Sequence, residues 1–179
     1  LQISEVTSNN NNGLRDADGD SPDWIELYNA TNTALQLGNY YLSDRPNQPL
    51  RWALPDAELA SGTRVTIFAS GKDRREIEGE WHTNFRINAD GETIVLTDAS
   101  AGIIDRITLD PLRNNQSIGR STTSPSGWRR YEPENASPGK PNTDEGEPYV
   151  AAPQLTVSPG IYPSAQFLSV RDRKSTRLN

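Results

Sequence analysis

No cysteine occurs among the 179 residues, and His82 is the single histidine. Disulfide frameworks, thiolate zinc centres and cysteine nucleophiles are therefore excluded, as is any zinc site built from several imidazoles. The redox compartment stays open, because a Cys-free chain is compatible with either. Long apolar runs are missing too. No stretch approaches the roughly 20 residues that cross a bilayer as a helix, and no charged-then-apolar leader opens the chain. The sequence begins at Leu1 rather than Met and reads as a piece of something longer. Positive charge is scarce: 18 Lys and Arg against 24 Asp and Glu leave a net −6. Phosphate backbones and anionic lipid need clustered cations, so neither nucleic acid nor membrane is an expected partner. Helical patterning is the last absence. No segment keeps an i, i+3, i+4, i+7 apolar stripe over ten residues, and the nearest candidate, "KDRREIEGEW", is charged and interrupted by Gly79.

What is present is punctuation. Thirteen Gly, thirteen Pro and many Asn separate short runs rich in β-branched and aromatic residues. "LQISEV", "WIELYN", "LQLGNYYLS", "LRWAL", "RVTIFAS", "HTNFRI", "TIVLTD", "IIDRITL", "QSIGR" and "GWRRYE" read as strands, with "DRPNQP", "ASGT", "NADGE" and "DASAG" as turns. Alternation puts Ile25 and Leu27 on one strand face and Trp24, Glu26 and Tyr28 on the other. Likewise Val65, Ile67 and Ala69 oppose Thr66 and Phe68. One buried and one partly wet face per strand, with no crossover helices, predicts an all-β chain: two antiparallel sheets packed as a sandwich.

Beyond Tyr131 the text turns to "EPENASPGKPNTDEGEPY", which offers little to bury. The expected organisation is a sandwich over 1–142, a linker over 143–152 and the truncated start of a second β module over 153–171, too short for a sheet with its own core. Residues 172–179, "DRKSTRLN", are what the codons GAT CGG AAG AGC ACA CGT CTG AAC encode, a string that resembles a sequencing-library adaptor. They are expected to be a read-through artefact; the plain alternative is a basic tail.

The stretch "DADGDSPDWIELYN" poses the functional question. Asp16, Asp18, Asp20 and Asp23 offer hard oxygen ligands, with Glu26 or Glu5 to extend the set, and calcium is the one cofactor they would suit. The helix-loop-helix calcium register fails. Starting at Asp16 places Ser21 where glycine is required and Leu27 where the bidentate acid belongs; placing Gly19 at the glycine position puts Leu14 first and Ile25 last. Two readings stand: an irregular calcium loop, or a solvated loop whose aspartates make Asx turns and pair with Arg15 or Arg45. No catalytic residue is assigned. A carboxylate pair would need a cleft, and serine hydrolysis would need a nucleophile elbow that is lacking and would rest on His82 alone. His82 is expected in a strand, bonded to a loop carbonyl. Tyr40 and Tyr41, being adjacent, point to opposite faces, and exposed rings among the aromatics would serve sugar stacking. "KDRRE" reads as a solvated turn, and "ASGK" lacks the pattern of a phosphate loop.

Taken together, "ISEV", "TSNNNNGLRDADGDSPDWIELYN", "LQLGNYYLSD", "VTIFASGKD", "HTNF" and "ENASPGKPN", in that order, resemble a bacterial lamin tail domain over residues 1–142. The resemblance implies an immunoglobulin-like β-sandwich that is not an enzyme, found in secreted or surface proteins beside other domains. "APQLTVSPGIYPSAQFLSV" is similar to the start of the β module at the C-terminus of chitobiases and hexosaminidases. The pairing resembles exported bacterial proteins that also carry a spore-coat-type kinase-like domain. The given residues include no heptad rod of the kind found in animal lamins, and their acidity argues against the DNA binding reported for some lamin tails. The expected function is a non-catalytic interaction or spacer module, extracellular or at the cell surface, whose partners are a protein, a cell-surface glycan or neighbouring domains. The rivals are a calcium-dependent carbohydrate-binding module and a small metal-dependent hydrolase.

Overall fold

Alternation along Asp23–Tyr28 (β2) sends Ile25 and Leu27 to one face, and the neighbouring strands repeat the pattern in register. Val6 of Gln2–Thr7 (β1) lies opposite Ile25; Ile25 lies opposite Ile67 of Arg64–Ala69 (β7); Ile118 of Ser117–Arg120 (β11) lies opposite Val6. Trp128–Tyr131 (β12), Glu147–Tyr149 (β13) and Trp81–His82 (β8) complete a seven-stranded sheet in the order β13-β12-β11-β1-β2-β7-β8. A second sheet runs β10-β9-β4-β5, from Ile103–Thr108 (β10), Thr93–Asp98 (β9), Tyr40–Ser43 (β4) and Trp52–Ala53 (β5). Its apolar row joins Ile107 to Ile94, and Leu96 to Leu42 to Trp52, none of them more than 3% exposed. These rows form the core of an all-β, immunoglobulin-like sandwich. The computed structural model describes residues 1–76, 78–123, 127–143 and 146–149, which fall within one unit, Leu1–Tyr149. The second module expected at 153–171 and the tail at 172–179 lie outside the described residues.

Several details depart from the pattern read in the sequence. "LQLGNYYLS" is two strands, because the chain changes sheets within it. Leu35–Gln36 (β3) pairs with Glu58–Leu59 (β6), a single 3-10 turn occupies Leu37–Asn39, and β4 then joins β9. The β7–β8 pair is parallel, with Ile67 opposite Trp81 and Phe68 opposite His82. No crossover helix is required, because β8 is short and is held on its other side by paired backbone bonds between Arg74 and His82 (2.9 and 3.0 Å). The outer face of β2 is not wet: Trp24 is 3% exposed and Glu26 is fully buried. Residues 132–142, from the stretch that looked too polar to bury, supply its cover.

Two devices close the sandwich. Arg120 of β11 donates to both oxygens of Asp105 on β10 (2.6 and 2.7 Å), and Asp105 Oδ2 also accepts from Ile3 N at 2.8 Å. A bulge between Ile103 and Asp105 aims this carboxylate at the other sheet and leaves Ile103 and Ile104 exposed. The second device is β13, which falls inside the stretch 143–152 that composition reads as linker. Its Tyr149 is buried, donates to Thr108 O (3.1 Å) and accepts from Asp110 N (3.0 Å). One aromatic ring suffices to anchor a three-residue edge strand whose other residues are exposed.

Candidate functional site

The aspartate loop precedes β2 and is organised by its own backbone. Gly19 takes a φ of +83°, which glycine adopts without strain, and its N–H donates to Asp16 O at 2.9 Å. Asp16 Oδ1 accepts from Asp18 N (3.1 Å) and Asp20 N (2.9 Å), the Asx geometry the sequence suggested. These bonds turn the remaining oxygens of Asp16, Asp18 and Asp20 toward one point, within 4.8 Å of one another.

A cation of the chain itself occupies that point. Lys72 Nζ lies 2.5 Å from Asp16, 2.6 Å from Asp18 and 2.8 Å from Asp20, and Arg74 adds a contact of 2.8 Å to Asp18. Lys72 and Arg74, in the segment read as a solvated turn, are therefore the partners expected of Arg15 or Arg45; Arg15 instead donates to Gly19 O at 2.9 Å. Glu80 ties the loop further, accepting from Ala17 N at 2.6 Å. Hydrogen bonds from Lys72 and then Arg74 hold the Asp18 carboxyl down at about 2. Burial pushes Asp16 up, but the Lys72 hydrogen bond and the Asp20 amide together bring it below the usual range. The same carboxylates push the Lys72 ammonium well above its ordinary value.

The other two candidates are elsewhere. Asp23 opens β2 on the far side of the loop, accepting from Asn10 N at 2.9 Å. Burial, with Glu92 nearby, raises its carboxyl to about 6 against the Asn10 bond. Glu26 is three strand positions farther, on the face away from the core, beside Glu5, and takes no part in the aspartate cluster. Three carboxylates thus converge where five were expected. They fall short of the six to eight oxygens calcium takes, and they already share an ammonium.

Two open clefts flank the loop. One, of about 470 Å³, runs between the Asn-rich segment and β7 and includes Ser8, Asp20, Asp23, Ser70, Lys72 and Arg86. The other, of about 420 Å³, is lined mainly by Leu14, Val65, Phe68, Trp81 and Pro138. His82 enters β8 as expected, but its Nδ1 meets Ser70 Oγ at 2.9 Å rather than a carbonyl, and its ring stacks on Phe68. Burial lowers its pKa, so it is neutral at pH 7. Tyr40 and Tyr41 are both half-buried, and among the described residues no aromatic ring is exposed.

The sequence reading passed over Ser137 and Asn142, and took Glu5 only as a further candidate calcium ligand. Glu5 lies directly opposite Glu26 in the β1–β2 ladder, and both are fully buried. Glu5 accepts from Ser117 Oγ and from Ser137 N at 3.2 Å; Glu26 accepts from Ser4 Oγ at 2.5 Å and Gly139 N at 2.6 Å. The signal was present in "ENASPGKPN", a small-residue segment able to approach a sheet closely, but nothing local says which face it covers.

A family model, the lamin tail domain, matches residues 1–110. No curated protein and no solved structure matches the chain. The matched residues carry β1 to β10, and β11, which pairs with β1, lies beyond them.

Proposed function

The chain belongs to the lamin tail domain family, and from that premise we propose that it serves as a non-catalytic interaction or spacer module of a larger secreted or cell-surface protein. The family is immunoglobulin-like and fits such a role. What carries the reading is the use made of the carboxylates. Asp16, Asp18 and Asp20 are paired with Lys72, and Asp18 also with Arg74; Asp105 clamps the two sheets through Arg120, and Glu5 and Glu26 hold the closing segment. Each acid has a structural partner, which is how a scaffold spends its charge. The partner is a protein or a cell-surface glycan, presented next to neighbouring domains of the parent chain.

A calcium-dependent carbohydrate module fits less well. Its cation would have to displace Lys72, and its sugar would find no exposed ring among the described residues. For a hydrolase the one supporting feature is Asp23, a carboxyl that keeps its proton up to about pH 6 beside a cleft, and its nearest acid in that cleft, Asp20, is tied to Lys72. Excising residues 1–149 from the parent polypeptide tests the proposal. Surface retention or partner binding should be lost while turnover by any attached catalytic domain is unchanged. Lost turnover with retention intact would refute it.

A further inference from the structure

The buried acids on the outer face hold more than a structural bond. Glu5 and Glu26 sit opposite each other on adjacent strands, each fully buried, with one cation in reach among the described residues: Arg64 Nε is 3.3 Å from Glu26 Oε1. Two charges facing each other with a single counter-charge would be unfavourable, so the pair should hold a proton. Hydrogen-bond bookkeeping says where it is. Asn142 Nδ2 donates to two backbone carbonyls, Ser4 O at 3.1 Å and Arg120 O at 2.9 Å, which fixes the orientation of the amide. Asn142 Oδ1 therefore faces Ser137 Oγ at 2.8 Å and takes that hydroxyl's only proton. Ser137 Oγ also lies 3.1 Å from Glu5 Oε2 and, with its proton committed, can only accept there. The proton between them belongs to Glu5. Its Oε1 accepts from Ser117 Oγ, and Ser137 N is shared between Oε1 and Oε2 at 3.2 and 3.3 Å. Glu26 receives donors on both oxygens, Ser4 Oγ and Gly139 N, and has Arg64 alongside, as suits the ionised member.

We propose that residues 137–142 form a proton-gated latch on the sandwich: Glu5 as the neutral acid and Glu26 as the carboxylate hold the segment closed, and ionisation of Glu5 releases it. Once Glu5 loses its proton, two buried carboxylates face each other across adjacent strands with Arg64 as the counter-charge in reach, and lifting the segment that covers them lets water solvate both. Among the described residues, the other elements packed against the pair offer no second neutraliser. β11 presents Ser117 and Gly119; β12 places Arg129 beyond Gly119 in register, with its guanidinium donating to Gly146 O at 2.7 Å; Glu134 and Lys140 of the segment are exposed. Burial raises both carboxyls, in keeping with one proton shared by the pair. β13 stays paired to β12 beyond the segment, so release opens a loop over β1 and β2 while the sandwich itself stays closed. The latch does not depend on the identity of the partner.

The test is residue-resolved NMR on the full chain. Side-chain carboxyl resonances of Glu5 and Glu26 followed from pH 4 to 10 should show one of the two titrating near or above neutrality. Between about pH 6 and pH 9 the amide protection of Ser137 and Gly139, referred to β1 amides, should fall about tenfold or more, the weight of one pKa unit. Glu5→Gln, whose amide donates to Ser137 as the acid does, should keep the latch closed at pH 9. Titration of both carboxyls together below pH 5, or an equal loss of protection in Glu5→Gln and wild type, would overturn the latch.

Discussion

Replacing Lys72 by methionine should turn the aspartate loop into a calcium site, whereas the wild-type loop should respond weakly. Its ammonium is held by three carboxylates, one of them on a side chain with no exposure. Surface ion pairs are each worth about 0–1 kcal/mol, so displacing three together weakens calcium by roughly tenfold or more. An irregular loop with no helix pair to organise it binds calcium at the weak end, with a Kd of about 0.1–1 mM. Competition by Lys72 moves that to about 1–10 mM or weaker. At about 10 mM calcium the linkage RT ln(1 + [L]/Kd) then gives about 1.4–2.7 kcal/mol for Lys72→Met, and about 0.4–1.4 kcal/mol at most for wild type. For a domain of this length these correspond to Tm increases of roughly 3–10 °C and under about 5 °C. Calcium-free Lys72→Met should itself be destabilised, because the buried Asp16 carboxylate loses its cation. Scanning calorimetry of both proteins in calcium, magnesium and sodium at matched ionic strength measures the difference. Magnesium, which demands stricter geometry, should do little. A calcium-specific shift in wild type as large as in Lys72→Met would refute the argument, since Lys72 would then not be the occupant that matters.

Other expectations follow from the same contacts. Asp105→Ala removes the partner of Arg120 and the acceptor of Ile3 N, and should cost about 3–5 kcal/mol in urea denaturation, as breaking a largely buried pair does. Ending the chain at Asn142 deletes β13 and Tyr149, so the sandwich should still unfold cooperatively but at a lower midpoint than a chain ending at Tyr149; equal midpoints would mean that β13 adds nothing. Gly119→Ala places a methyl 2.4 Å from Asn142 Nδ2, and amide exchange should show residues 137–142 displaced while the β1–β2 pairing persists. Asp23 has a raised folded-state pKa of about 6, so the folded chain binds the extra proton. Its contribution is present below about pH 4 and is lost as pH rises to 6, by about 2–3 kcal/mol, and Asp23→Asn should abolish that slope. Below pH 4 the sign reverses, as Asp16 and Asp18, both depressed, become protonated and lose Lys72.

Local patterns determined much of this protein. Period-2 alternation, closely spaced turn residues and the lack of helical stripes specify strands packed as a sandwich, because each is a property of a few adjacent residues. The order of "ISEV", "DWIELYN" and "HTNF" pointed to the lamin tail family for the same reason. The Asx geometry of Asp16 was also readable, since its partners, Asp18 and Asp20, are two and four residues away. Tertiary structure alone decided which charges meet. Lys72 is 54 residues from Asp18, Ser137 is 132 from Glu5, and Arg120 meets Asp105 across two sheets. No spacing rule reaches that far, because those pairings depend on strand order and on which face a loop crosses. The burial of Glu26 shows the point most plainly. Alternation correctly placed it on the face away from the core, and a solvated carboxylate, free to bind metal, followed from that placement. A polar, proline-rich segment more than a hundred residues downstream covers that face instead, its backbone N–H groups and one serine supplying the hydrogen bonds that water would otherwise have made.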